Sequence, residues 1–240
     1  MSTDPVRQLE RIARFTRIGI YIGAVFAFLQ LFAHALLVAY AAGFDGVLDE
    51  TAHAETTAFL ALLSFVAIIP LLAVGVPFLR WFYLAYRNLE ELEHTHLRYT
   101  PGWAVWGFLI PFVNYVRPYQ VMRDLWRQLD IAASNSFSTA MLPQAHASNL
   151  GRWWSAYVAF NIVGAIGEVA VSYVNTFDQL FVATLFLFAG TLLLFPAITT
   201  TLGIVRATTA YEIALLNELS DEGALPGAVQ GNLSQERATA

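Results

Sequence analysis

Apolar positions along the chain gather into four long runs, Ile18–Ala42, Thr57–Leu79, Trp153–Val174 and Leu180–Val205. A helix rises 1.5 Å per residue, so crossing a hydrocarbon core of about 30 Å takes roughly 20 residues. Each run is long enough. Ahead of the first, STDPVRQLERIARFTR offers Asp4 as a helix cap and Pro5 as a first helical residue, followed by Arg7, Arg11, Arg14 and Arg17. Residues 1–17 therefore read as an amphipathic lead-in. Ala39-Tyr40-Ala41 resembles a signal-peptidase site, but the apolar run before it is too long for a signal peptide, so an uncleaved anchor is expected.

A fifth apolar stretch, Trp103–Val116, is different. As a helix its roughly 14 residues would cover only about 21 Å, and Pro111 lies inside it, with Pro101 and Pro118 on its flanks. Proline removes a backbone donor and biases the preceding residue away from helix, so a break is expected near Ile110. Pro118 then opens an amphipathic helix, PYQVMRDLWRQLD, with Val121, Leu125 and Leu129 on one face and Arg123, Asp124 and Arg127 on others. The predicted fold is all-α: a polytopic membrane helical bundle of four transmembrane helices plus a broken re-entrant or interfacial segment. A membrane domain would occupy 18–205, with a motif segment at 81–130. Residues 206–240 would form a helix and a disordered tail.

The arginines orient this arrangement. They occur before the first run, between the second and third, and after the fourth. The loops Gly43–Thr56 and Asn175–Gln179 hold only acidic charge, at Asp45, Asp49, Glu50, Glu55 and Asp178. Positive charge stays on the cytoplasmic side of short loops. The expectation is a multi-pass protein of a bacterial cytoplasmic membrane with both termini inside. A crossing at 103–116 would move Arg117–Arg152 outside and invert the later spans.

Composition narrows the chemistry. Hydrophobic residues make up 57% and charged residues 13%, and the net charge of −5 leaves no basic excess for nucleic acid. The absence of cysteine excludes disulfides, thiolate metal sites and a cysteine nucleophile. Phosphate-binding glycine loops and hydrolase motifs are missing, so no cofactor and no catalytic residue is expected. His94 and His96 stand beside Glu90, Glu91 and Glu93. Two histidines at that spacing without a cysteine make a poor metal set, and no metal is expected.

The segments WFYLAYRN (Trp81–Asn88), RYTPGWAVWGFLIPFVNYVRPYQVMRDLW (Arg98–Trp126) and RWW (Arg152–Trp154) resemble a bacterial membrane family known as domain of unknown function 4328. The likeness covers about Phe78–Val205. It implies a membrane protein with a shared cytoplasm-facing motif surface, made here of Trp81, Arg87, Asn88, Arg98, Pro101, Trp103, Pro111, Asn114, Arg117, Pro118 and Tyr119, and it brings no activity to transfer. Physically, Trp81, Tyr83 and Tyr86 suit the headgroup level at a span end, as do Trp103 and Trp106. Asn114 and Arg117 would line any pocket beneath the broken segment.

A second candidate site lies within the spans. Glu168 sits mid-span, where a charged residue costs roughly 2.5–3.5 kcal/mol, so it should face the bundle. Asn161, Gly164 and Glu168 share a stripe, and Gln30 and His34 share a face of the first span. Gly19 and Gly23 form GxxxG, either an oligomer seam or an internal contact. Three functional readings stay open: an interaction, accessory or sensing subunit with a protein partner or a second copy in the bilayer; a small-solute or ion translocator using Glu168, Asn161, His34 and Gln30; and a lipid-modifying enzyme with a histidine base.

Overall fold

The computed structural model describes residues 5–90, 97–134 and 147–221, and every regular element among them is helical. In order these are α1 (Pro5–Ala42), α2 (Glu50–Val66), α3 (Ile68–Glu90), α4 (Trp103–Leu109), a 3-10 turn (Val113–Tyr115), α5 (Arg117–Ser134), α6 (Ala147–Val171) and α7 (Phe177–Asp221). Four of the helical stretches are long and apolar enough to cross a membrane. The all-α membrane bundle expected from the apolar runs is what the chain forms. His94 and His96, residues 135–146 and residues 222–240 of the expected tail lie outside the described residues.

The second apolar run is one candidate span but two helices. Pro70 has no N–H to offer the Val66 carbonyl and its ring crowds that oxygen, and the helix is interrupted at Ala67, whose own N–H caps back to the Leu63 carbonyl. Helix α2 also starts earlier than the apolar pattern suggests. Asp49 accepts a 2.7 Å hydrogen bond from Ala52 N–H, which moves the helix start to Glu50 and shortens the preceding loop. At the other extreme, α7 is a single helix of 45 residues. At 1.5 Å per residue it is roughly 65 Å long, about twice the hydrocarbon thickness. It therefore cannot lie wholly within the hydrocarbon, and the apolar run itself ends at Val205.

Contacts divide the chain into two compact units. One, the motif unit, comprises residues up to Ile18, Val76–Gly151 and residues from Leu202 onward; the other, the span unit, comprises Gly19–Gly75 and Arg152–Thr201. The motif unit has a core of the soluble kind. Leu9, Trp81, Phe82, Tyr86, Leu89, Met122, Leu125 and Leu215 are all fully buried. Each such side chain contributes roughly 1.5–3 kcal/mol by leaving water. Phe78, Phe82 and Phe108 meet edge to face or tilted at ring separations of 5.8–6.4 Å, which fastens α4 onto α3.

The span unit shows the opposite surface. Val25, Phe28, Phe32, Leu62, Phe65, Leu71 and Leu72 all stand exposed, as lipid-facing residues do. Its helices approach through small residues. The backbone of Gly19 lies against the Ala73 carbonyl so closely that a Cβ would overlap it, and Gly23 lies against Val74. Gly167 lies similarly against Leu187, and Gly190 against the backbone of Gly164. The GxxxG of the first span is thus an internal contact with α3. At one end of the unit an isolated antiparallel bridge joins Val47 to Thr176, with Leu48 N–H donating to Asn175 O and Phe177 N–H to Gly46 O, both at 3.1 Å. Phe44 and Phe177 stack there at 5.3 Å, with Tyr40 against both.

Gly19→Ala is expected to lower thermal stability in detergent by about 1–3 kcal/mol, the usual cost of overpacking a close contact. Gly75→Ala, where a Cβ meets nothing within 4 Å, should leave the melting temperature unchanged or raise it. Thermal unfolding of the two variants side by side checks this.

Candidate functional site

The motif residues assemble one polar knot. Asp124 of α5 is buried, and its Oδ2 accepts from Tyr86 Oη–H at 2.6 Å and from Arg98 N–H at 2.8 Å. Tyr86 Oη accepts in turn from Tyr99 N–H at 3.1 Å. The segment after α3 is thereby tied to α3 and α5 together. Asp124 holds the Tyr86 phenol in its protonated form, since burial and the adjacent carboxylate both push the phenol pKa up.

Arg117 completes the knot. Its guanidinium lies 5.0 Å from the Tyr99 ring centre and 4.8 Å from that of Trp103, and Nη1 donates to Gln120 Oε1 at 3.1 Å. Tyr99 Oη reaches the same Gln120 oxygen at 3.4 Å. This sandwich joins RYTPGW to RPYQ. Pro101 and Pro118 are buried, while Pro111 is exposed at the break. Tyr119 lies under Arg123, 5.7 Å from its guanidinium. The Arg98 side chain is exposed and Arg87 is half-buried; Arg98 joins the knot through its backbone.

A second cluster lies deeper in the same unit. Trp81 Nε1–H donates to Thr209 Oγ1 at 2.9 Å, and Asn88 Nδ2–H donates to Glu212 Oε1 at 2.9 Å. Glu212 is 0% exposed, and its Oε2 has no hydrogen-bond partner among the described residues. Burial pushes its carboxyl pKa well above the usual range, against the smaller lowering from Asn88. Trp81 and Tyr86 are therefore core residues of the unit, not headgroup-level anchors. Asn114, half-buried in the 3-10 turn, keeps Oδ1 without a partner among the described residues, and neither Asn114 nor Arg117 lines either of the two cavities described below. A small one, lined by Trp126, Leu129, Asp130, Ala207, Thr208 and Tyr211, borders two other orphaned groups, Trp126 Nε1 and Thr208 Oγ1.

The span unit holds the other cavity, of about 170 Å³. Its walls are Gln30 and His34 of α1, Leu60, Leu63 and Ser64 of α2, Ala67 at the break, Glu168 and Val171 of α6, and Leu187 of α7. Three of the four polar residues picked out in the spans thus share one cavity, and Ser64 joins them. Asn161 does not: its amide donates to the Tyr157 carbonyl one turn back, at 2.8 Å. Glu168 lines the cavity yet is also exposed, so it stands at an opening and not in the bundle interior. No hydrogen bond joins it to His34 among the described residues. His34 is buried, with Nδ1 3.1 Å from Thr191 Oγ1. The Thr191 hydroxyl proton is committed to the Leu187 carbonyl at 2.9 Å, so its oxygen accepts from His34 Nδ1–H. That tautomer leaves Nε2 as a lone-pair acceptor.

Sequence reasoning passed over Glu212 and placed Asp124 off the apolar face of α5. A signal existed for the first. Val205, Thr208, Glu212 and Leu215 recur at helical spacing and are all buried, so Glu212 occupies an apolar stripe. Asp124 had no such signal, because its partners lie 26 and 38 residues away. Among the described residues no three His, Asp or Glu side chains converge as metal ligands.

The raised Glu212 pKa has a defined consequence. A carboxyl whose pKa is higher folded than unfolded stabilises the fold below its unfolded value, and that contribution is lost as pH rises through the folded value. Wild type should therefore lose melting temperature progressively as pH rises above the ordinary carboxylate range. Glu212→Gln, which stays neutral and can still accept from Asn88, should flatten that decline. Melting curves across pH 5–9 in one detergent measure it.

No curated protein and no solved structure matches the chain. A family model does, the one described as domain of unknown function (DUF4328), over residues 45–210. The match starts earlier than the motif likeness, taking in the loop before α2 and all of the second span. Covering more than half the sequence and including the Tyr86–Asp124 knot, it identifies the chain as a member of the DUF4328 family.

Proposed function

We propose that the protein is an integral inner-membrane interaction or sensing subunit whose working part is the motif unit, held on the cytoplasmic side. The observation that carries this reading is the internal use of the motif's polar groups. Tyr86, Tyr99, Arg117, Gln120 and Asp124 spend their donors and acceptors on one another. Such a knot makes a fixed shape and itself leaves little to act on a substrate. Outside the knot, α5 presents Arg123 and Arg127 one turn apart and exposed, with one exposed acid, Asp130, a turn further on; the face is net cationic and suits an acidic protein surface. The arginine asymmetry of the sequence supports the cytoplasmic placement.

Native mass spectrometry from a mild detergent tests it. A co-purifying protein, or a second copy, should be retained by wild type and by Glu168→Gln and lost from Arg123→Ala/Arg127→Ala. Wild type that emerges as a bare monomer would contradict the reading.

A second reading, ion or proton translocation, has one observation in its favour: the cavity that Gln30, His34, Ser64 and Glu168 share with apolar side chains. Ionisable groups around wet space within a membrane serve as relays in pumps and transporters. On this reading Glu168→Gln abolishes pH-driven dye response in proteoliposomes at an unchanged melting temperature. An unchanged response in the variant would dispose of it.

A further inference from the structure

The segment 103–116 has two unlike sides. One is packed: Ala104 and Gly107 are buried, a Cβ on Gly107 would touch the Arg117 side chain at 3.3 Å, and Phe108 meets Phe78 and Phe82. The other side carries Trp106, Leu109, Ile110, Phe112, Tyr115 and Val116, all exposed, with Phe112 at 86% and Trp106 at 60%. A soluble surface rarely keeps so many large apolar side chains together.

Phe112 is also the one non-glycine residue with positive φ among the described residues, at 63°. A bulky residue there costs on the order of 1–3 kcal/mol. At 86% exposure its side chain packs against little among the described residues that would offset the cost. The backbone, by contrast, is provided for. Ile110 N–H donates to Trp106 O, Val113 to Pro111 O, Asn114 to Ile110 O, Tyr115 to Phe112 O and Val116 to Val113 O, at 2.8–3.4 Å. Pro111 has no N–H. Five backbone donors between Ile110 and Val116 are thus satisfied within the segment, as a hydrocarbon environment demands and water does not.

We infer that residues 103–116 form a wedge seated in one leaflet of the protein's own bilayer, with the Phe112 side chain among the lipid acyl chains. Lipid is the occupant because of where the wedge is fastened. Phe108 sits on Phe78, the penultimate residue of the second apolar run, so the wedge lies where that run leaves the hydrocarbon. Arg117, stacked on Tyr99 and Trp103, marks its polar edge at the headgroups. The wedge enters and leaves on the same side, so the four-span count is preserved. This holds whichever functional reading is correct.

The chain has no cysteine, so single replacements report unambiguously. Phe112→Cys, Leu109→Cys and Asp130→Cys, the last an exposed position on α5, are spin-labelled in full-length protein. The labelled proteins are reconstituted into phosphatidylcholine–phosphatidylglycerol vesicles, and collision rates with oxygen and with a water-soluble nickel chelate are compared. The expected result is several-fold preference for oxygen at 109 and 112 and the reverse at 130. Equal nickel access at 112 and 130 would overturn the inference. So would labels at 109 and 112 that are shielded in native membranes but nickel-accessible in the pure lipid vesicles, since the occupant would then be a protein. Should Phe112→Cys fail to fold, Leu109→Cys and Val116→Cys carry the same comparison.

Discussion

The motif unit depends on one buried carboxylate. Asp124 is nearly inaccessible, and a carboxylate removed from water is tolerated only when hydrogen-bond donors replace its hydration. Two of the donors come from elsewhere in the chain: the Tyr86 hydroxyl on α3 and the Arg98 backbone N–H. Because Tyr86 also accepts from Tyr99 N–H, the three elements hold each other in place. Losing any member strands the others, and a stranded buried polar group costs about 1–3 kcal/mol. The sequence motif is therefore a set of contacts: Tyr86 in WFYLAYRN, Tyr99 and Trp103 in RYTPGW, Arg117, Gln120 and Asp124 in RPYQVMRD.

This explains which parts of the molecule were legible. Spans follow from local composition, since twenty successive apolar residues have few other uses, and the break at Pro111 follows from the chemistry of one residue. Trp81 and Tyr86 were legible as aromatic but not as buried. A ring at a span end fits a headgroup belt equally well until a second polar partner is known, and Thr209 is 128 residues away. Gln30, His34 and Glu168 were recognisable by type, because polar groups in spans are costly. Their meeting in one cavity depends on helix packing, which periodicity does not encode. Asn161 misled for the opposite reason. Its residue type suggested a long-range role, but its amide bonds to its own helix, as short polar side chains readily do.

The two units meet the same difficulty by different means. In the motif unit polar side chains are buried and paired with one another, Asn88 with Glu212 and Trp81 with Thr209. In the span unit hydroxyls mostly return to their own helix, Thr184 to Leu180 O and Thr191 to Leu187 O. Two bonds there are informative exceptions: Trp153 Nε1–H reaches Thr201 at 3.0 Å, and His34 reaches Thr191 at 3.1 Å. Interhelical hydrogen bonds in membranes give only modest stabilisation, so close glycine contacts must supply much of what holds α1 to α3 and α6 to α7.

Proline is the remaining constraint, and each one inside or beside a helix is accommodated locally. Pro70 ends α2. Pro77 leaves the Ala73 carbonyl without its intrahelical donor, and that is the oxygen against which Gly19 lies. Only a residue without Cβ can come so near, and its Cα–H offers a weak donor. Beyond Pro196 the hydroxyls of Thr199, Thr200 and Thr201 donate to the carbonyls of Pro196 and Ala197, and α7 continues unbroken. The glycine of the first span thus answers a proline, whereas the threonine hydroxyls add to carbonyls within the helix that continues past Pro196 and do not reach Leu192 O, the carbonyl Pro196 leaves without a donor.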